Sequence, residues 1–360
     1  MKGVRDEAAA PAASATSDSG AGEARTAARS GGLRGALPLL IRLAVSAALL
    51  MFLFSTVPLA DVLALFGRAR GDIVLLSAVL FALSLVGSAY QWWLFLRAQR
   101  IAIPFRRAMN FYLVGLFLNN FLPANVGGDV MKVIDVGRSG GTKVGALTAT
   151  LLDRAMGLFV LVLAGTLAAV ALGDALPFPE MRVPLVLSCA ALVILFVAVL
   201  SRRVARVVEP ILRHVPGARL RGLAERLIAH VRMLHDDRRI FLVAFAVSVA
   251  TQVLRIAVHY LAAIALGVHV APILFALLVP VIAVAITLPI SIGGFGIREG
   301  LGVVLFGRVG VGSTEALAFE LLSHLAAVLV SFWGGVLFIL RGRGAHRGTA
   351  PESAQTPRLR

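Results

Sequence analysis

Two short motifs combine a pair of glycines with a basic residue in a way that suits the binding of an anion. Residues 123–132 read Pro-Ala-Asn-Val-Gly-Gly-Asp-Val-Met-Lys, and residues 289–298 read Pro-Ile-Ser-Ile-Gly-Gly-Phe-Gly-Ile-Arg. The glycine pairs let the backbone turn sharply and approach a ligand closely. A helix that begins there directs free N–H groups and its positive dipole end at an anion such as a phosphate. Lys132 and Arg298 then lie about one turn into the two helices.

The anion-binding interpretation uses the glycines and charged residues of both motifs, namely Gly127, Gly128, Asp129, Lys132, Gly293, Gly294, Arg298 and Glu299. A structural role is the alternative. In that case the glycines only permit close packing of a broken helix, Lys132 pairs with Asp129, and Arg298 pairs with Glu299. Asn119 and Asn120, just before the first motif, are expected to satisfy backbone groups freed at the break.

Further polar residues interrupt the apolar stretches of the sequence. They include the adjacent Asp153 and Arg154, a helically spaced series of Ser248, Gln252, Arg255 and His259, and the pair Glu320 and His324. Charged groups in such stretches usually face the protein interior and pair with one another, and Arg255 with Glu320 is one plausible pair. We interpret the whole set as the lining of a functional cavity. For any single pair a packing role is favoured. The Glu320–His324 pair has chemistry suited to proton transfer, but a satisfied interior histidine is the favoured interpretation.

The composition places these residues in a membrane. Of 360 residues, 59% are hydrophobic and only 15% are charged, whereas soluble domains carry about 25% charged residues. The net charge of +16 would indicate nucleic acid in a soluble protein, but here we expect it to orient the chain and to meet anionic lipid, with no nucleic-acid partner. One cysteine, Cys189, and the lack of nucleotide or metal motifs predict no metal site and no cofactor.

Eight apolar stretches organise the chain, at residues 37–57, 72–96, 107–122, 146–172, 183–201, 240–266, 272–290 and 314–340. Six are long enough to cross a hydrocarbon layer of about 30 Å. The other two, 107–122 and 272–290, each run into a proline and a glycine pair, which is typical of a broken or re-entrant helix. The predicted fold class is an all-α polytopic membrane protein with six full transmembrane helices and two re-entrant helical hairpins.

The basic residues predict the topology. Arginines crowd residues 97–107 and 202–239, which places these segments and both termini in the cytoplasm of a bacterium whose inner membrane the chain crosses several times. The two hairpins then enter from opposite faces, so residues 37–172 and 183–340 form an inverted-topology repeat. Each hairpin could instead be two short crossings. Residues 202–239 are either an amphipathic helix on the membrane surface or a solvated linker.

The composition along the chain predicts three parts: a disordered cytoplasmic tail at residues 1–34, a membrane domain at residues 35–340 and a basic cytoplasmic tail at residues 341–360. The sequences FLPANVGGDVMK, LLDRAMGL and LPISIGGFGIREG resemble the flippase-like membrane domain of the lysylphosphatidylglycerol synthase family, also called UPF0104 or YbhN-like. The resemblance covers about residues 37–340. Its signature positions are Pro123, Gly127, Gly128, Asp129, Lys132, Asp153, Arg154, Pro289, Gly293, Gly294, Gly296, Arg298 and Glu299.

This resemblance implies a role in moving lipid between leaflets. Aminoacyl transfer in two-part relatives belongs to a separate soluble domain that this chain is expected to lack, so we expect no enzyme activity. The leading hypothesis is binding or translocation of an anionic or modified phospholipid or an isoprenoid lipid. The alternative is a membrane component of a lipid-linked glycosyl or aminoacyl transfer pathway, either as a transferase or as a non-catalytic partner. A lipid-modifying enzyme or a glycosyltransferase is the expected protein partner.

Overall fold

The computed structural model describes residues 43–121, 127–200, 222, 238–287, 291 and 294–345. Within them the protein is all α-helical, as predicted. The helices are α1 (Leu43–Thr56), α2 (Leu59–Gly67), α3 (Gly71–Ala98), α4 (Phe105–Phe121), α5 (Gly127–Arg138), α6 (Lys143–Leu172), α7 (Pro179–Leu200), α8 (Arg238–Ala265), α9 (Pro272–Ala285), α10 (Ile297–Gly307) and α11 (Ser313–Ala345). The predicted tails and most of the 202–239 segment lie outside these residues.

Four helices are long and apolar enough to cross a membrane: α3, α6 with the short turn after it, α8 and α11. A fifth span results if α1 and α2, which bend by 78° at their junction, are counted as one. Pro58 lies at this bend, where it has no backbone N–H to continue the hydrogen bonding of α1. The segment between the apolar stretches 37–57 and 72–96 therefore contains a helix, α2, that the sequence did not predict. Residues 183–200 of the fifth apolar stretch lie in α7, and the role of this stretch as a sixth span stays a prediction.

The helix–break–helix order that the sequence predicted occurs twice, in α4–α5 and in α9–α10. The first helix of each pair is short, with 17 residues in α4 and 14 in α9. The breaks hold residues 122–126, 288–290 and 292–293, which lie outside the described part of the chain. Entry of the two pairs from opposite faces, and hence the inverted repeat, stays a prediction.

Helix packing brings the two motif-bearing pairs against the long helices. Helix α3 packs along α8, α4 packs on α11 and α5, and α9 packs on α6. One apolar cluster joins α3, α4 and α6 around Trp92 and Phe95, and a second joins α9, α10 and α11 around Phe275, Phe306 and Phe319. Large apolar side chains on the outside, such as Trp333 and Leu187, suit contact with lipid tails rather than water.

Close approach of α11 to α4 depends on glycine. A Cβ atom added to Gly334 would collide with the backbone carbonyl of Leu113, and one added to Gly335 would meet the ring of Phe117. Small residues allow such close crossings, which hold membrane helices together where hydrophobic burial cannot.

We expect Gly334→Ala to destabilise the protein, because the added methyl must push two helix backbones apart. Overpacking of this kind costs about 1–3 kcal/mol, so the unfolding temperature of the detergent-purified protein should fall by several degrees. Gly300→Ala is the matched control, since Gly300 is also inside a helix but a Cβ there meets nothing within 4 Å. Equal unfolding temperatures for the two variants would contradict the role assigned to Gly334.

Candidate functional site

The first motif lies where α5 begins. Gly127 and Gly128 open the helix, and Asp129 is the acidic residue of its first turn. The N–H of Gly128 donates a hydrogen bond of 2.8 Å to the Asn119 side chain, as the sequence predicted for Asn119. Gly128 also packs so closely on Gly115 of α4 that any Cβ would collide with the Gly115 carbonyl. Gly128 is therefore required for close packing of α5 on α4. Its N–H, which the anion-binding interpretation directs at a ligand, is bonded to a protein acceptor instead.

Asp129 joins two cations from two different helices. One carboxylate oxygen lies 2.8 Å from Lys132 Nζ, one turn along α5, and the other lies 2.9 Å from Arg154 Nη2 of α6. Arg154 Nε donates to that second oxygen as well, at 2.9 Å, so the guanidinium grips it through two N–H groups. We call Asp129, Lys132 and Arg154 the charge triad. The Lys132–Asp129 pair confirms the pairing that the structural interpretation predicted.

Burial differs sharply within the charge triad. The Lys132 side chain is 5% exposed, whereas that of Arg154 is 49% exposed. Two aromatic rings hold the buried cation, because Lys132 Nζ lies 4.7 Å from the centre of the Tyr112 ring and 5.3 Å from that of Trp92. A desolvated ammonium gains about 2 kcal/mol from such a ring. Lys132 is thus fixed in place, while Arg154 keeps part of its guanidinium open to the surroundings.

Asp153 and Arg154 are neighbours in sequence but have different partners, since adjacent residues of a helix point about 100° apart. Asp153 is buried and accepts a 2.9 Å hydrogen bond from Gln91 Nε2 of α3. Trp92, next to Gln91, donates to Thr150 Oγ1 of α6 at 3.0 Å. These two bonds fix α3 to α6 beside the charge triad.

Arg255 of α8 is a partly buried cation without a carboxylate partner among the described residues. Its Nη2 donates a 2.9 Å hydrogen bond to Ser88 Oγ of α3, and its Nε is buried with no hydrogen-bond acceptor there. The sequence allowed an Arg255–Glu320 pair, and this is wrong. Glu320 instead lies beside His259, one turn further along α8. The rotation of α8 about its axis, relative to α11, decides which of its residues lies beside Glu320. The spacing of polar residues in the sequence does not give this rotation.

The second motif is arranged around Glu299, at the start of α10. Gly294 and Gly296 have φ values of +81° and +83°, the left-handed backbone that favours glycine. Glu299 accepts the Gly296 N–H at 2.7 Å and lies 3.3 Å from His324 Nδ1 of α11. The expected Arg298–Glu299 ion pair is replaced by this Glu299–His324 pair. Gly293 lies outside the described residues.

Sequence reasoning missed several partners at these sites. Trp92 and Tyr112 hold Lys132, Phe295 stacks on His324 with ring centres 4.4 Å apart, and Ser323 contacts His259. Periodicity marks such residues as buried, but which side chain they touch depends on helix rotation. No group of three or more His, Cys, Asp or Glu residues in the described part of the chain is arranged to hold a metal ion.

Comparison with known proteins places this arrangement in a family. The family described as lysylphosphatidylglycerol synthase TM region matches residues 39–335 of the chain. The chain belongs to this family. It is also 24% identical over 277 residues to a UPF0104 membrane protein of Methanothermobacter thermautotrophicus (strain Delta H), and the match covers 71% of this chain and 79% of that protein. The predicted resemblance is confirmed, and the chain is a membrane protein with several apolar helices.

The charge triad should contribute to the stability of the folded protein. Asp129→Leu should destabilise the protein strongly, because it leaves the buried Lys132 without its counter-ion, and breaking a buried pair from one side costs about 3–5 kcal/mol. The double variant Asp129→Leu/Lys132→Met should recover much of that loss, since it removes both charges.

Thermal unfolding in detergent checks this through a double-mutant cycle, with Lys132→Met as the second single variant. Strictly additive effects would mean that the two charges are not coupled. The Arg308→Gln variant is the control, because Arg308 forms an ion pair with Glu180 in which both side chains are more than half exposed, and it should change the unfolding temperature little.

Proposed function

We propose that this protein binds the headgroup phosphate of an anionic or modified phospholipid, or of an isoprenoid lipid, and moves the lipid between membrane leaflets. The observation that carries the proposal is a cluster of three cations among apolar helices. Lys132, Arg154 and Arg255 lie in one region of the protein, and two of them, Arg154 and Arg255, are not fully buried. A cation at the bilayer centre costs about 2.5–3.5 kcal/mol on insertion scales, so such a cluster indicates function.

Arg154 and Arg255 are the proposed ligands of the phosphate. Arg154 is half-exposed although one edge of its guanidinium grips Asp129. Arg255 spends one hydrogen bond on Ser88 and leaves its Nε without an acceptor among the described residues. A guanidinium offers five N–H donors in a planar fork that matches a phosphate. Both arginines also lie within electrostatic reach of Asp153 and Tyr112, so they act on one region of the protein.

The second motif supplies a further cation. Arg298 is partly buried and has no ion pair or side-chain hydrogen bond among the residues that the structure describes, because the neighbouring carboxylate of Glu299 is engaged by Gly296 and His324. In the proposed function the first motif, with Gly127 and Gly128, and the second, with Gly293 and Gly294, belong to the two halves of an inverted repeat and together line a polar chamber. The charge triad and Arg298 then bind the phosphate on its way.

The setting of the proposal follows the basic residues of the sequence. We place the protein in a bacterial cytoplasmic membrane with both termini inside, as the arginines of residues 97–107 and 202–239 predict. In this function the protein makes and breaks no covalent bond. A lipid-modifying enzyme or a glycosyltransferase provides the lipid that the protein moves.

Reconstitution tests the proposal. Liposomes containing the purified protein and a trace of headgroup-intact, tail-labelled phosphatidylglycerol should lose outer-leaflet label to the inner leaflet faster than protein-free liposomes. Arg154→Gln and Arg255→Gln should each slow this movement severalfold, because each removes donors from the phosphate. The Arg308→Gln variant should move lipid at the wild-type rate, since Arg308 lies away from the charge triad and pairs with Glu180.

Wild-type protein that moves neither phosphatidylglycerol nor a polyprenyl phosphate faster than empty liposomes would contradict the proposal. Equal rates for Arg154→Gln, Arg255→Gln and wild type would leave lipid movement intact but remove the assigned phosphate site. A labelled phosphatidylcholine, whose headgroup carries no net charge, measures how far the movement depends on an anionic headgroup.

A further inference from the structure

Glu320 stands out among the buried acidic residues. Its side chain is completely buried in α11, and neither carboxylate oxygen forms a hydrogen bond with a described residue, although His259 Nδ1 lies 3.4 Å from one of them. An ionised carboxylate without donors is among the most costly groups to bury. Gly302 of α10 lies so close that a Cβ there would touch the Glu320 side chain, so the packing holds the carboxyl group in place.

The nearest base is His259 of α8, whose Nδ1 lies 3.4 Å from Glu320 Oε2. Ser323 fixes the ring. Its hydroxyl donates to the Glu320 backbone carbonyl at 2.9 Å, so its oxygen is left to accept from His259 Nδ1–H at 3.2 Å. This network assigns the Nδ1 proton to the uncharged imidazole and leaves Nε2 as the basic atom.

Glu299 and His324 provide a comparison within the same protein. Glu299 is equally buried, but one of its oxygens accepts the Gly296 N–H and the other lies 3.3 Å from His324 Nδ1. Phe295 stacks on the His324 ring. Glu299 therefore has a backbone N–H on one oxygen and a histidine beside the other, which suits a permanent carboxylate. Glu320 has the same burial and a histidine at a similar distance but no backbone N–H from a described residue, which suits a carboxyl group that gains and loses a proton.

Other charges around Glu320 are few. His324 lies one turn further along α11 and is within electrostatic reach of Glu320. On the helices that pack against α11, Arg298 and Glu299 come from α10 and Arg255 and His259 from α8. The titratable groups of α2, α3 and α4 do not face Glu320. Four of them are exposed, namely Asp61, Tyr90, Arg106 and Arg107. The other three have their own contacts: Asp72 pairs with Arg70, Arg97 lies over Trp93, and Tyr112 faces Lys132. No cation in the described residues lies within ion-pair distance of Glu320 other than His259.

We propose that Glu320 and His259 form a proton-binding site through which a proton gradient drives lipid movement. Loading adds one proton to Glu320, or to His259 Nε2, and takes the pair from one negative charge to neutral. An O–H or N–H bond forms, no other bond breaks, and release is the reverse. Arg255 lies four residues before His259, about 6 Å along α8, so the charge of the pair acts on a phosphate-binding arginine. The coupling to lipid rests on the proposed function, whereas proton binding does not.

Infrared difference spectroscopy tests proton binding by itself. Wild-type protein in lipid, compared at a low and a high pH at which it stays folded, should show the C=O stretch of protonated carboxyl groups, with a component from Glu320 that disappears at the higher pH. Glu320→Gln should lose this component, because a carboxamide has no such stretch, and the difference between wild type and variant separates it from other buried acids such as Asp153. Glu180→Gln is the matched control and should keep it, since Glu180 is exposed and paired with Arg308. His259→Gln should keep the Glu320 component but change its dependence on pH, which keeps the test decisive if Glu320→Gln fails to fold.

Transport across liposomes with an imposed pH gradient tests the coupling. In wild-type protein the rate of labelled phosphatidylglycerol movement should change severalfold with the gradient, and an internal pH-sensitive dye should report proton entry that depends on the lipid. Glu320→Gln should lose both responses, and Glu180→Gln should keep both.

The two proposals fail in different ways. Wild-type protein that moves lipid at one rate whatever the pH gradient would overturn the coupling and leave the proposed function standing. If the wild-type protein moves no lipid, but its carboxyl band is absent from Glu320→Gln, the proposed function is overturned and the proton site is retained. A pH-dependent carboxyl band that is identical in wild type and in a folded Glu320→Gln variant would overturn the proton site itself.

Discussion

The carboxylate of Asp129 holds the charged centre of this protein together. It binds Lys132 on its own helix and Arg154 on the next. In an apolar surrounding, two cations without this counter-ion would repel each other and the lipid tails at once. The position of α5 against α6 follows from this bridge. Gly128, one residue earlier, must also lie against Gly115 for the bridge to form.

The two cations that Asp129 binds differ in their surroundings. Lys132 is enclosed by Trp92 and Tyr112 and keeps one fixed position. Trp92 is anchored in turn by Thr150, so α3, α4, α5 and α6 all position one ammonium group. Arg154 shares the same carboxylate but remains half-exposed. A single acid thus joins an enclosed cation of α5 to a half-exposed cation of α6.

Local features of the structure were predictable from the sequence, and contacts between distant segments were not. The Asp129–Lys132 pair is three residues apart on one helix, and the Asn119 cap lies just before the break, so spacing alone locates both. The long helices follow from apolar runs of sufficient length. Arg154 with Asp129, and His259 with Glu320, join separate helices, and their pairing depends on how each helix is rotated in the bundle. Helix α2 is not predictable from apolar runs, because it lies in a short segment after a proline, between two apolar stretches.

The arginines near the first motif have a consequence for how a lipid moves under the proposed function. A cation carried through the hydrocarbon without a counter-ion is costly. A phosphate bound to Arg154 and Arg255 offsets their charge, so the loaded site moves at a lower electrostatic cost than the empty one. This asymmetry ties movement of the protein to the presence of lipid. His259 lies on the same helix as Arg255, so under the proposed coupling protonation of the His259–Glu320 pair changes the field that the phosphate meets.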